Sequence, residues 1–430
     1  MYATVYLPPL LRWLGASIGR DSEVSTVRHV TPDLLSVGEG CFLADACLVG
    51  GCRVHHGHIE IGGNRIGNKT FIGNSAVLPG GSDIGNDALL GVLSTPKSGQ
   101  TLPDNERWLG APAFVLPSTQ KELNFSDVQT YQPTRAMRRS RAISDAVRVL
   151  IPGMIATGSL TLFITFLVLA TDWWPLWVVI ATVPVLTTVL AFATLAVVAV
   201  VKRLLIGTFE PTVQPLWCRY VWNNEIINGT YEAISETTLA PMLGTPFAST
   251  CMRWMGCKIG KWVFLETTYF SEFDLVEIGD HAALNLGATI QTHLFEDRVM
   301  KADYLRIGTG CTVSNLAVVL YSTHMQRGSC LGPLSLLMKG ETLPAESSWS
   351  GIPSEPKEAP AADQNRRTLM KMRFRLPGDA VRRRAAQYAS ALAAFAATTQ
   401  TQDESAFQER IQSPAFREDW QERMRVLRGA

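Results

Sequence analysis

His293 stands in the segment Gln291-Thr292-His293-Leu294-Phe295-Glu296-Asp297-Arg298, where one imidazole meets two carboxylates and a guanidinium. Neutral imidazole accepts a proton near neutral pH and carboxylates hold ammonium groups, so the combination suits an amine that must lose a proton before it attacks. His293 is the expected base. Asp274, Glu296 and Asp297 are the expected amine holders, Arg298 joins them in the substrate-binding set, and Asn285 or Thr292 is the expected donor to a developing oxyanion. From Glu266 to Asp297 there are seven acids and no Lys or Arg.

The elements that must position these groups repeat. Residues 8–112 and 249–353 align at a constant offset of 241 without insertion or deletion. Aliphatic residues recur every six positions, at 66, 72, 78, 84 and 90 in the first copy and from 307 to 343 in the second. That period fits neither a helical face nor an alternating strand but does fit a parallel β-helix built from hexapeptides, each coil depending on its neighbours. The beat fails between Ile290 and Ile307, one residue short of a coil, where Glu296 and Ala302 fall at inward positions. An unpaired carboxylate is costly in an aliphatic column, so this segment is expected to leave the prism as a loop. In the first copy Cys52 replaces His293, and the stretch matching the acidic run, Ser25 to His56, has three acids and two arginines. The second copy is therefore the expected catalytic module and the first its support. His55, His56 and His58 are too tightly spaced for a metal site and read as a polar hairpin; no metal is expected.

Between the copies, Val149 to Val201 contains a single charge, Asp172. At about 20 residues per crossing this predicts two membrane spans joined at Trp173-Trp174-Pro175. Arginines before the first span and Lys202-Arg203 after the second predict that both β-helices lie on the cytoplasmic side of a bacterial-type inner membrane. A basic linker (117–146) precedes the spans, and residues 204–249 read as an amphipathic connector lying along the bilayer. After Pro360 an arginine-rich helical tail is expected, suited to anionic lipid or a partner. Net charge +1 argues against nucleic acid, and eight cysteines without metal spacing read as reduced thiols. No cleavable signal peptide is evident at the N-terminus.

The fold expected is thus mainly β: two tandem parallel β-helices joined by a transmembrane helical hairpin, with a C-terminal helical tail. This order, together with Thr245-Pro246-Phe247, Glu272-Phe273-Asp274-Leu275-Val276 and the run from Gln291 to Lys301, resembles the C-terminal membrane region of nonribosomal peptide synthetases of the ε-poly-lysine synthetase type. The resemblance covers about residues 10–355. It implies left-handed coils, and it implies amide-bond formation in which an aminoacyl group on a carrier-protein thioester passes to an amine. The sequence shows neither an adenylation domain nor a carrier domain, so activation is expected elsewhere, on a carrier in trans or in the remainder of a longer synthetase.

The expected function is a membrane-anchored acyl or aminoacyl transferase without a permanently bound cofactor, whose donor is a phosphopantetheine thioester. Alternatives are an acyl-CoA-dependent acetyltransferase and a non-catalytic membrane scaffold for a synthetase. A homo-oligomer is possible, because hexapeptide domains commonly build sites between subunits.

Overall fold

The computed structural model describes all residues except 1, 2, 26, 28, 98, 117–124 and 358–430. The arginine-rich tail lies outside the described residues. Met1–Glu358 form one compact unit.

Each copy is a three-sided parallel β-helix. In the first, Ile18, Val37, Ile66, Ile84 and Leu102 stack in register on one face, and Val24, Leu43, Ile72, Leu90 and Trp108 on the next. Val49 pairs with Leu78 on the third. The second copy repeats this with Ile259, Ile278, Ile307, Met325 and Leu343, then Leu265, Leu284, Val313, Leu331 and Trp349, then Ile290, Val319 and Leu337. The aliphatic members of these columns are buried, so every residue on the beat removes apolar surface from water at about 25 cal/mol per Å². Coils approach closely at their corners: a Cβ on Gly67 would come within 2.5 Å of the Gly85 carbonyl carbon.

The interruption is larger than the spacing suggested. Ile307 stacks on Met325 at an interval of 18 residues, whereas Ile278 stacks on Ile307 at an interval of 29. Eleven extra residues therefore leave the prism at one corner rather than forming a defective coil. In the second copy they make an antiparallel hairpin, His293–Glu296 with Val299–Ala302, whose outer strand pairs with Thr212–Pro215. The first copy has the same insertion, an antiparallel hairpin of Arg53–His55 with His58–Glu60, with no third strand among the described residues.

Between the copies, helices Arg135–Trp173 and Leu176–Leu205 are each long and apolar enough to cross a membrane, and little of either is buried by the protein. Trp173 and Trp177 stand exposed at their junction. The connector helix Arg219–Thr238 departs from expectation. Its apolar residues, Val221, Trp222, Ile226, Ile227, Tyr231 and Ile234, surround the axis rather than forming one stripe, and all are buried. It is a core helix packed with Leu195, Val198 and Ala199 of the second apolar helix and with the second β-helix, not an interfacial one. Arg141, buried at the base of the first apolar helix, joins it to the first β-helix through Glu23 (3.1 Å) and to the connector through Glu225.

Candidate functional site

The second-copy hairpin, the connector helix, the first β-helix and the base of the first apolar helix enclose a cavity of about 470 Å³. His293 and Phe295 reach it from the hairpin, Asn224, Glu225, Asn228 and Glu232 from the connector, and Ser25, Asp45 and Asn74 from the first β-helix. Val149 and Pro152, at the start of the apolar helix, close one side. The cavity therefore draws on both copies; the second β-helix alone does not make the site.

His293 is oriented by a carboxylate that the sequence reading counted but did not single out. Glu272 is fully buried, and its Oε2 lies 2.7 Å from His293 Nδ1 and 2.7 Å from Thr292 Oγ1. Its Oε1 accepts from Asn224 Nδ2 at 2.7 Å and from Asn228 Nδ2 at 3.0 Å, two amides one helical turn apart on the connector. Burial by itself would raise the Glu272 pKa, but the charge and hydrogen bond of His293 and the bonds from Thr292 and Asn224 hold it down at about 2. An ionised carboxylate only accepts, so Nδ1 of His293 carries the proton and Nε2 bears the lone pair when the ring is neutral. Burial tends to lower the His293 pKa; the Glu272 charge and hydrogen bond outweigh it, and the net shift is upward from 6.5. Glu272 also sits in the left-handed region (φ 32°, ψ 63°). Such backbone costs about 1–3 kcal/mol and tends to cluster at functional sites.

Facing the imidazole are carboxylates other than those expected. Asp45, which accepts from Ser25 Oγ, and Glu232 line the cavity with His293. Glu232 opens onto the cavity, yet the surrounding protein and the Asp45 charge lift its pKa to about 7 against the pull of Arg148 and His293. Gln291 and Asn74 also line the space, and among the described residues neither side-chain amide makes a hydrogen bond to protein.

The remaining expected residues do structural work. Asp274 pairs with Lys202 and accepts from the Phe209 N–H at 2.9 Å. Its counterpart Asp33 lies against Gly15 as Asp274 lies against Gly256, so this aspartate belongs to the scaffold of both copies. Asn285 donates to the Val313 carbonyl at 3.0 Å. Thr292 is buried and spends its hydroxyl on Glu272 and Ser271, which makes it a positioning residue and removes it as an oxyanion donor. Glu296 is held by Lys301 (2.8 Å) and Lys339 on the opposite side of the strand from His293. Asp297, half-exposed at the hairpin tip, lies 3.9 Å from Arg107. Arg298 is 2% exposed and donates to the carbonyls of Gly40 (3.1 Å), Cys41 (2.9 Å) and Asp21, locking the hairpin to the first β-helix.

Glu272 had a signal in the sequence, because Thr31 stands at its place in the first copy. Asn224 and Asn228 had only their helical spacing. Asp45 had the same kind of signal as Glu272, since Leu286 stands at its place in the second copy.

The chain is 33% identical over 357 residues to the delta-poly-L-ornithine synthetase of Acinetobacter baumannii (strain AB307-0294), a match that takes in 83% of this chain. Over that stretch it is similar to part of a poly-amino-acid synthetase. The matched region is 27% of that protein's length. No family model matches the chain.

Proposed function

We propose that this protein is a membrane-anchored transferase that forms an amide bond between a thioester-bound aminoacyl group and an amine. The observation that carries the reading is the buried Glu272–His293 pair, whose Nε2 is left to a carboxylate-lined cavity. Asp45 and Glu232 hold the ammonium form of the acceptor. The reacting ammonium first gives one proton to solvent water, and His293 takes a second from the nitrogen as it bonds to the thioester carbonyl carbon. The carbon–sulfur bond then breaks, the oxyanion having been met by the amides of Gln291 or Asn74, and the proton passes to the departing thiolate. The thioester is already reactive, so positioning and one base suffice. The relative's name supports a diamino acid as acceptor, whose second ammonium gives the two carboxylates a reason to be there.

In this reading the two apolar helices span the bilayer, and the basic residues flanking them support a cytoplasmic position for both β-helices. The donor is loaded on a carrier protein supplied in trans or by a longer polypeptide. The test uses the full chain in lipid nanodiscs with an ornithinyl carrier protein and free ornithine, product being followed by mass spectrometry. Amide product from the native chain and its loss in His293→Ala support the reading. Undiminished product from His293→Ala removes the base, and product from acyl-CoA but not from loaded carrier replaces the donor.

A further inference from the structure

The helix Pro246–Met255, which precedes the first coil of the second β-helix, meets an apolar helix at a depth that the helical rise fixes. The rings of its Phe247 and Trp254, seven residues apart on one face, lie 5.9 Å and 5.7 Å from the Phe192 ring of the helix Leu176–Leu205. Trp177 stands exposed at the far end of that helix, and Phe192 follows 15 residues later, about 22 Å along the axis. A hydrocarbon layer of about 30 Å that starts at Trp177 therefore ends about five residues beyond Phe192. Packing agrees with that boundary: Leu195, Val198, Ala199 and Lys202 are buried, whereas of residues 176–193 only Val179 is. Phe247 is 58% and Trp254 40% exposed, so two large rings stand uncovered about 8 Å inside the layer's near face, where aromatic rings collect. Phe264 of the first coil is exposed beside them, 3.6 Å from where a Cβ on Gly244 would stand.

The first copy does not reach this depth. Its equivalent helix, Leu7–Trp13, follows two ties to the base of the helix Arg135–Trp173: the Val5 N–H donates to Asp145 at 2.8 Å, and the Tyr6 hydroxyl to the Ala142 carbonyl at 2.8 Å. Counted back from Trp173, the same 30 Å or so ends at Gly153, which leaves Asp145 about 12 Å and Ala142 about 16 Å outside the layer. Glu23 stands where the second copy has Phe264. Resting on the reading that the apolar helices span the bilayer, we propose that Pro246–Met255 is a further membrane contact, lying in the headgroup layer with Phe247, Trp254 and Phe264 among the lipids and seating the second β-helix on the membrane surface. A second copy of the chain fits these rings less well, because they flank a helix whose remaining surface faces lipid. Val149 and Pro152, which wall the carboxylate cavity, fall within about 6 Å of the same boundary, so the contact holds the His293 site against the headgroups.

Photo-crosslinking of the full chain in lipid nanodiscs tests the contact. p-Benzoylphenylalanine replaces one residue at a time: Phe247 or Trp254 in the proposed contact, Leu162, exposed at mid-span, and His324, exposed on the polar outer face with Glu277 and Arg306. Mass spectrometry is expected to find lipid adducts from the Phe247, Trp254 and Leu162 positions and none from His324, with the first two attached nearer the glycerol end of the acyl chain than the third. Adducts from Leu162 without any from Phe247 or Trp254 overturn the further contact and leave the span standing. Absence of adducts from Leu162 removes the spanning reading, and the contact falls with it. A cross-linked dimer from Phe247 or Trp254 in place of lipid assigns the rings to a second copy and overturns the proposal, as does an adduct yield from His324 equal to that from Trp254.

Discussion

The two β-helices share a register, a core and even an eleven-residue insertion at the same corner, yet their hairpins meet different surroundings. In the second copy the hairpin gains the strand Thr212–Pro215, buries Leu294, Val299 and Met300, and sends Arg298 into the carbonyls of the first β-helix. In the first copy Val54 is 68% exposed and Ile59 65% exposed on a two-stranded hairpin. A two-stranded hairpin is marginal in water without a covered face. Both carry a polar residue at the same place, His293 or Cys52, but only the second has a buried carboxylate beneath it: Glu272 is left-handed where Thr31 is extended at φ −101°. A scaffold position becomes a chemical site when a neighbouring element encloses it, and here that element is the connector helix.

The largest effect expected from breaking this asymmetry is at Glu272. Glu272→Gln keeps the size and an acceptor for the connector amides but removes the charge that fixes the His293 tautomer. Turnover is expected to fall by about 10²–10⁴, with far-ultraviolet circular dichroism unchanged. Cys52→Ala in the first copy is expected to leave turnover as it is. A comparable loss from both would mean that the copies share the chemistry.

Arg298 tests the packing half of the comparison. Arg298→Met removes the donor to four backbone carbonyls in a buried setting, those of Gly40, Cys41, Asp21 and Thr130, each unmet acceptor costing about 1–3 kcal/mol. A thermal unfolding midpoint lowered by several degrees is expected, whereas Gly57→Ala at the matching tip of the first hairpin, where nothing lies within 4 Å of an added Cβ, strains only its own positive φ of 74°. Equal losses would show that the hairpin of the second copy is not the tie between the β-helices.

The pH dependence follows from signs already fixed. As the proposed base, His293 would act only when neutral, and its pKa is shifted upward from 6.5, so turnover is expected to climb with pH through a value above 6.5 and to fall about tenfold per unit below it. In Glu272→Gln the largest raising influence is gone while burial and the smaller pull of Asp45 and Glu225 remain, so the residual activity is expected to keep its plateau to lower pH. For stability the raised His293 pKa contributes below 6.5 and is lost as pH rises through the folded value. Glu272, lowered from 4.5 to about 2, contributes above 4.5 and is lost as pH falls toward 2. An inflection that does not move between the native chain and Glu272→Gln would assign the titration to another group.

Periodicity carried most of the architecture, because Ile, Leu and Val every six residues leave one way to bury them. The two apolar helices were equally plain in Val149 to Val201. His293 was legible as a break in that beat. Its partners were not, since the contacts that make them a site are between elements: Asp45 becomes a cavity wall only when the first β-helix docks against a helix about 180 residues later, and Glu232 only when the connector is buried. The acids that looked closest to His293 in sequence, Glu296 and Asp297, were separated from it by strand alternation and by the hairpin tip. Asp274 was claimed by Lys202 and the Phe209 N–H.

The smallest expected effect is the sharpest on the first hairpin's idleness. Val54→Ser with Ile59→Ser replaces two apolar side chains that already face solvent across from each other. Little area returns to water, so stability is expected to move by less than about 0.5 kcal/mol, and turnover not at all. Leu294→Ser, at a 6% exposed position on the matching strand, is expected to cost about 2–3 kcal/mol, because it opens the packed seam with Val92, Leu109 and Leu320. Chemical denaturation of both variants in the same detergent reads the two values side by side. A large loss from the first-hairpin pair would mean that its exposed apolar face is covered in the working assembly, and the first copy would then have a docking role that its sequence twin performs within the chain.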